Sequence, residues 1–157
     1  MDQQNPQKAE MGVEGLHCYQ KAIELLKLSY SVAARLPKYE TYNLASQIRR
    51  AALSGVLNIA EGYGRYHYLE KLRFFYIARG SLSEVRAAFS AAQAVGYIQE
   101  AQMKEAHSIE TAAQRSLDGF VAFIRRQQQG HKEFGDAVVH EPLSEYLLDL
   151  GDQITDH

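Results

Sequence analysis

Cysteine is nearly absent from this chain of 157 residues: Cys18 stands alone, which excludes an intrachain disulfide and leaves the redox state of the compartment open. The size calls for no such staple, since a domain of this length buries roughly 70% of its unfolded surface. Cys18, beside Tyr19 in a predicted helix, reads as a small buried side chain. No apolar run approaches the ~18 residues of a membrane-spanning helix. Residues Met1 to Pro6 lack the basic start and apolar stretch of a signal peptide, so a soluble cytoplasmic protein without a membrane partner is expected. Internal repeats and low-complexity tracts are missing too.

Catalytic and metal-binding signatures are equally scarce. Bundles that hold two metals use Glu-x-x-His on two helices and a Glu from each of two others. Here His67-Tyr-Leu-Glu70 and His107-Ser-Ile-Glu110 run in the reverse order. Ser54 and Ser81 fall in predicted helices and no Gly-x-Ser-x-Gly elbow exists, so a Ser-His-acid site is not supported. Gly62-Tyr63-Gly64 follows no strand and lacks the glycine and lysine spacing of a phosphate loop. The expectation is a protein that is no enzyme and carries no cofactor or metal.

Charge is unevenly distributed. The net value of −2 hides a body, residues 16–127, with 15 Lys/Arg against 9 Asp/Glu. The last 30 residues carry one Lys against seven acids. A basic body with acidic ends points to an anionic partner or to self-association, and the plain alternative is an ordinary solvated surface.

Apolar periodicity is the strongest signal present. Leu16, Tyr19, Ile23, Leu26, Tyr30 and Ala33 form one stripe, and Ala22, Leu25, Ser29, Val32 and Leu36 a second beside it, on a helix that Pro37 ends. A second helix is predicted from about Glu40 to Glu61, with Ala45, Ile48, Ala52, Val56 and Ile59 inward and many small residues around them. Gly62 and Gly64 are expected to stop it in the left-handed conformation. A third runs from about Tyr66 to Val95, with Phe74, Ile77, Ser81, Val85, Ala88, Ala92 and Val95 as one stripe, widened by Leu72, Phe75, Leu82 and Phe89. A fourth covers about Gln99 to Gln128, led by Ala106, Ile109, Ala113, Leu117, Phe120 and Ile124. Long helices with short connections describe an all-α, antiparallel up-down-up-down four-helix bundle over 16–128. Residues 1–15 read as a flexible arm. Residues 129–157 read as a linker and a short acidic helix opened by Pro142, with Leu143, Tyr146, Leu147 and Leu150 on one side. That segment either docks on the basic body or on a neighbouring subunit, or frays.

Polar residues interrupt the stripes. Gln47, Arg50, Asn58, Glu61 and Glu84 fall close to inward positions, where a charge needs a partner. Arg50 or Arg79 is expected to pair across helices with Glu61 or Glu84, a structural network that fixes register. Glu61 and Arg65 pair locally only if the chain turns there. Aromatics cluster nearby: Tyr63, Tyr66, Tyr68, Phe74, Phe75 and Tyr76. The last three are consecutive and point around ~200° of a helix, so one core cannot bury them all. They are candidates for a subunit interface. The basic residues Arg49, Arg65, Lys71 and Arg73 are candidates for holding RNA or DNA, since aromatic and basic groups together stack bases and bind phosphates.

The segments Leu16-x-x-Tyr19-x-Lys21-Ala22-x-x-Leu25, Gln47-x-Arg49-Arg50, Asn58 to Gly62, Gly64-Arg65, Gly80-Ser81-x-x-Glu84 and Gly96-Tyr97-Ile98 follow one another in a specific order. In order and spacing, over about residues 16–126, the chain resembles the 23S rRNA-intervening sequence (S23-like) proteins. Gly55 departs from the pattern, which has a branched apolar residue there. The resemblance implies a left-handed antiparallel bundle, ring-forming homo-oligomers of five subunits, and no catalytic residues. Related accessory proteins of diversity-generating retroelements present a basic surface to nucleic acid and to a reverse transcriptase. A nucleic acid or nucleic-acid enzyme is therefore an implied partner, and a purely structural oligomer is the alternative.

Overall fold

The computed structural model of the protein describes residues 12–127. Among these, four α-helices and two short 3-10 turns are present, and no strand: α1 (His17–Ala33), α2 (Leu44–Gly64), α3 (Tyr68–Ala94) and α4 (Glu100–Gln127). Each helix packs on two others, α1 and α3 both lying between α2 and α4. Contacts between residues of falling and rising number show direction. Ser54 meets Ser81 and Gly62 meets Phe75 across α2 and α3, while Arg79 meets Asp118 and Arg86 meets Glu110 across α3 and α4. Both pairs of helices therefore run antiparallel.

The core follows the apolar stripes, with two rotations. In α1 the stripe of Ala22, Leu25, Ser29 and Val32 is buried, whereas Tyr19, Ile23 and Leu26 are only partly covered and Tyr30 is exposed. Two adjacent stripes make one wide face, and only the packing of neighbours selects its centre. In α3 the buried line is Leu72, Phe75, Ala78, Leu82, Val85 and Phe89; Ile77 and Val95, expected inward, are exposed. The expected inward residues of α2 are all buried, and those of α4 are too, except that Ile109 is partly covered. Cys18 is buried, as its neighbours suggested.

The helix ends have individual causes. α2 starts at Leu44 rather than near Glu40. The Glu40 carboxylate caps it from outside, accepting the Leu44 N–H at 3.1 Å and the Asn43 side-chain amide at 3.0 Å. The backbone hydrogen bond from Leu44 is the main reason that the Glu40 carboxyl is held below its usual range; burial opposes it, and Tyr97 and Asn43 help. Tyr97, in the α3–α4 connection, donates to Glu40 at 3.0 Å and lies 3.0 Å from the Tyr39 hydroxyl, joining two connections at one end of the bundle.

The expected glycine stop of α2 is corrected by the structure. The helix runs through Gly64, and the one described residue with positive φ is Gly96, at 82°. Gly96 ends α3 in a Schellman motif: Tyr97 N–H donates to Ala92 O at 2.8 Å and Gly96 N–H to Gln93 O at 2.9 Å. Gly62 is instead helical and buried, and a Cβ there would lie 2.6 Å from Phe75 Cε1. Its job is close packing. The bundle takes in the end of the expected arm of residues 1–15: Val13–Gly15 form a turn, and Val13 packs against the core. The remainder of the arm, and the linker and acidic helix at 129–157, lie outside the described residues.

Candidate functional site

The aromatic and basic residues gather where α2 hands over to α3. Phe75 is fully buried, in edge contact with Phe120 at 5.3 Å, and Tyr68 is buried as well. Both belong to the core, which corrects their expected place at a subunit interface. Tyr63 and Phe74 are half-buried, and Tyr66 and Tyr76 are exposed. The three consecutive aromatics thus separate by angle as a helix requires: one inward, one at the edge, one outward.

The cations expected to face nucleic acid are mostly engaged within the fold. Lys71 is only 5% exposed; its ammonium donates to the Tyr63 carbonyl at 3.2 Å and lies 5.9 Å from the Tyr63 ring centre. It serves the last turn of α2, whose carbonyls have no helical partner. Arg65 pairs with Glu61 and places its guanidinium 4.7 Å from the Phe74 ring centre. Arg49 donates to the Thr41 carbonyl at 3.2 Å. Arg73 is exposed on the outer face of α3.

The expected cross-helix lock takes a different form. Gln47, Arg50, Glu61 and Glu84 are exposed, and Asn58 is half-buried. Among the described residues no ion pair joins Arg50 or Arg79 to Glu61 or Glu84. Long charged side chains at the edge of a stripe reach water at lower cost than a buried pair. Short side chains make the cross-helix contact instead. Ser54 and Ser81 hydroxyls meet at 2.8 Å between α2 and α3, and the Asn58 amide donates to the Ser54 carbonyl at 2.8 Å.

A second polar region, not foreshadowed by the apolar stripes, lies on the α3–α4 seam. Arg79 pairs with Asp118 at 2.8 Å, Gln114 donates to Ser83 at 2.7 Å, and Arg86 lies 3.9 Å from Glu110. Glu110 is 2% exposed. Burial pushes its carboxyl above the usual range, against the pull of Arg86, His107 and Gln114. His107 Nδ1 is 3.9 Å from the same carboxylate and has no hydrogen-bond partner. A groove of about 360 Å³ runs along this seam past Ser83, Arg86, Glu110 and Gln114. The i, i+3 pairing of His107 with Glu110 was visible in the sequence; the depth of Glu110 was not. Among the described residues no group of three or more His, Cys, Asp or Glu is placed to hold a metal.

The outer surface of α2 and α3 carries exposed apolar residues. Leu53 and Leu57 stand one turn apart on α2, and the antiparallel register brings Leu57 level with the turn of α3 that bears Ile77. On the outer face of α3, Leu69, Leu72, Arg73, Tyr76 and Ile77 line a groove of about 640 Å³. Tyr76 also borders a second groove of about 300 Å³, with Val121, Ala122 and Arg125 of α4.

The family model of 23S rRNA-intervening sequence proteins matches residues 14–119, well over half of the chain and almost the whole bundle. The chain belongs to that family. No curated protein matches it in sequence. This family member's matched region covers α1, α2, α3 and most of α4, including both seams of α3 and the exposed apolar residues of α2 and α3. No described helix of this family member is long and apolar enough to cross a membrane.

Proposed function

We propose that the protein is a non-enzymatic scaffold that assembles with copies of itself, in a closed ring of five as the family resemblance implies. The observation that carries this reading is exposed apolar surface on two neighbouring helices, Leu53 and Leu57 one turn apart on α2 and Ile77 on α3, with Tyr66 in the connection between them. These four side chains are 38–56% exposed. Several large apolar side chains exposed on neighbouring helices mark an association surface more often than single ones do. A ring needs a heterologous contact, in which this surface meets a different face of the next subunit. The polar groups of the α3–α4 seam pair mainly with one another, which supports a structural role for them. The test is solution mass by light scattering at micromolar concentration. Five times the 17.7 kDa chain mass is the expected result, and Leu57→Asp with Ile77→Asp should reduce it to that of one chain. A monomeric parent protein overturns the reading.

The second reading, a scaffold for RNA, DNA or a nucleic-acid enzyme, is favoured by the surplus of Lys/Arg in residues 16–127 and by the exposed Arg73 and Arg50. Phosphate contacts make binding fall linearly in log-log salt plots. Binding to mixed RNA that is absent or insensitive to salt refutes it and leaves the structural oligomer.

A further inference from the structure

The groove on the outer face of α3 has a specific geometry. Leu69, Leu72, Tyr76 and Ile77 supply its apolar wall, and Arg73 stands among them. Leu69 is 63% exposed, a large cost for a leucine that nothing covers. At the Tyr76 end, the groove meets the last turns of α4: the Arg125 guanidinium lies 5.9 Å from the Tyr76 ring centre. The described chain ends two residues later, at Gln127. The C-terminal segment therefore departs beside the groove.

The sequence of that segment matches the groove in period, length and charge. Leu143, Tyr146, Leu147 and Leu150 recur at i, i+3, i+4 and i+7, the spacing of one helix face. At 1.5 Å per residue this stripe is roughly 10 Å long, as is the distance from Leu69 to Tyr76 along α3. Residues 141–152 contain Glu141, Glu145, Asp149 and Asp152 and no Lys or Arg. The groove region presents Arg73 and Arg125 and has no acid in its lining other than Asp118, which is paired with Arg79. The connection, residues 128–141, has a typical span of about 20 Å as a flexible chain, enough to reach either end of the groove.

We propose that residues 142–150 dock in the α3 groove of their own chain, with Leu143, Tyr146, Leu147 and Leu150 against Leu69, Leu72 and Tyr76, and their acids toward Arg73 and Arg125. Tethering makes the contact intramolecular, at an effective concentration in the millimolar range, so a modest contact suffices. The groove lies on the outer face of α3. Ile77 borders both this groove and the surface proposed for subunit contact, whose other leucines, Leu53 and Leu57, lie on α2; the variants below leave Ile77 unchanged, so the inference does not rest on that reading.

The test uses the full chain with Tyr146→Trp, which introduces the only tryptophan. A blue-shifted emission, several-fold protected from acrylamide quenching and unchanged on hundredfold dilution, is expected. Leu69→Asp, at an exposed site, should return the indole to solvent with the helical signal intact. Arg73→Glu should weaken protection, and Glu145→Lys with Asp149→Lys on that background should restore it. An indole as quenchable as a free one overturns the proposal. Protection lost on dilution overturns it in favour of docking on a second copy, and protection indifferent to Leu69→Asp overturns the assigned groove. Light scattering on the same variants reports assembly separately, so a failed ring leaves this result readable.

Discussion

Helix α3 meets its two flanking helices by different means. Toward α2 it offers Ser81, Leu82 and Phe75 to Ser54, Gly55 and Gly62, so that a side chain of one helix lies against bare backbone of the other. Toward α4 it offers Arg79, Ser83 and Arg86 to Asp118, Gln114 and Glu110. The first seam is fixed by shape, most tightly at Gly62, where an added carbon would strike the Phe75 ring. The second adds charge pairs and hydrogen bonds to the buried Phe75–Phe120 contact, and the half-exposed Arg79–Asp118 pair is left a small effect by solvent screening. Stability should therefore be concentrated on the α2 side of α3, and sensitivity to pH on the α4 side.

That contrast can be tested in descending order of effect. Phe75→Ala empties a fully buried site that touches both Gly62 and Phe120, and should cost about 3–5 kcal/mol in denaturant unfolding. Gly62→Ala pushes a methyl into the Phe75 ring, which is too enclosed to yield; the expected loss is about 1–3 kcal/mol despite the better helix propensity of alanine. An unchanged unfolding midpoint would show that the seam is not tightly packed. Gly55→Ala sharpens the point, because the nearest atom is the Leu82 Cδ2 tip at 3.1 Å, which can move, so the same substitution should be close to neutral in the same unfolding measurement.

On the α4 side, Glu110→Gln tests the pH claim. The folded-state carboxyl titrates above its unfolded value because burial disfavours the charge. Its favourable contribution is complete below the unfolded value and is lost as pH rises through the folded one. Glutamine removes that loss. The variant should melt a few degrees higher than the parent at pH 7 and at the same temperature below pH ~4, by scanning calorimetry. A lower midpoint at pH 7 would mean that Arg86 and His107 outweigh burial. Smallest of all is Arg79→Ala, whose pair with Asp118 is about half exposed; it should change stability by no more than ~1 kcal/mol, and less in high salt.

Much of the bundle was legible in the sequence. The four helices lie within a few residues of their expected ends because apolar period, Pro37 and Gly96 act locally. The aromatic run was legible only in part. Three consecutive rings had to diverge, but which of Phe74, Phe75 and Tyr76 turned inward depended on how α3 was rotated. The polar residues depart from expectation for the same reason. Gln47, Arg50 and Glu84 sit a fraction of a turn from the core, and that fraction decides between burial and water. Glu110 went the other way, hidden in a helix whose exposed face is full of similar charges.

The sequence by itself determined that this is an all-helical chain of the 23S rRNA-intervening sequence family, with α2 rich in small residues and α3 rich in aromatics. Those properties are local or additive, so they survive without coordinates. Only the tertiary structure decided the rotation of each helix, and with it that Gly62 receives Phe75, that Lys71 closes α2 and that Glu110 is buried. These are contacts between residues far apart in the chain. The reason is close packing: a shift of one residue turns a helix by about 100°, and the neighbouring helices allow only one such setting.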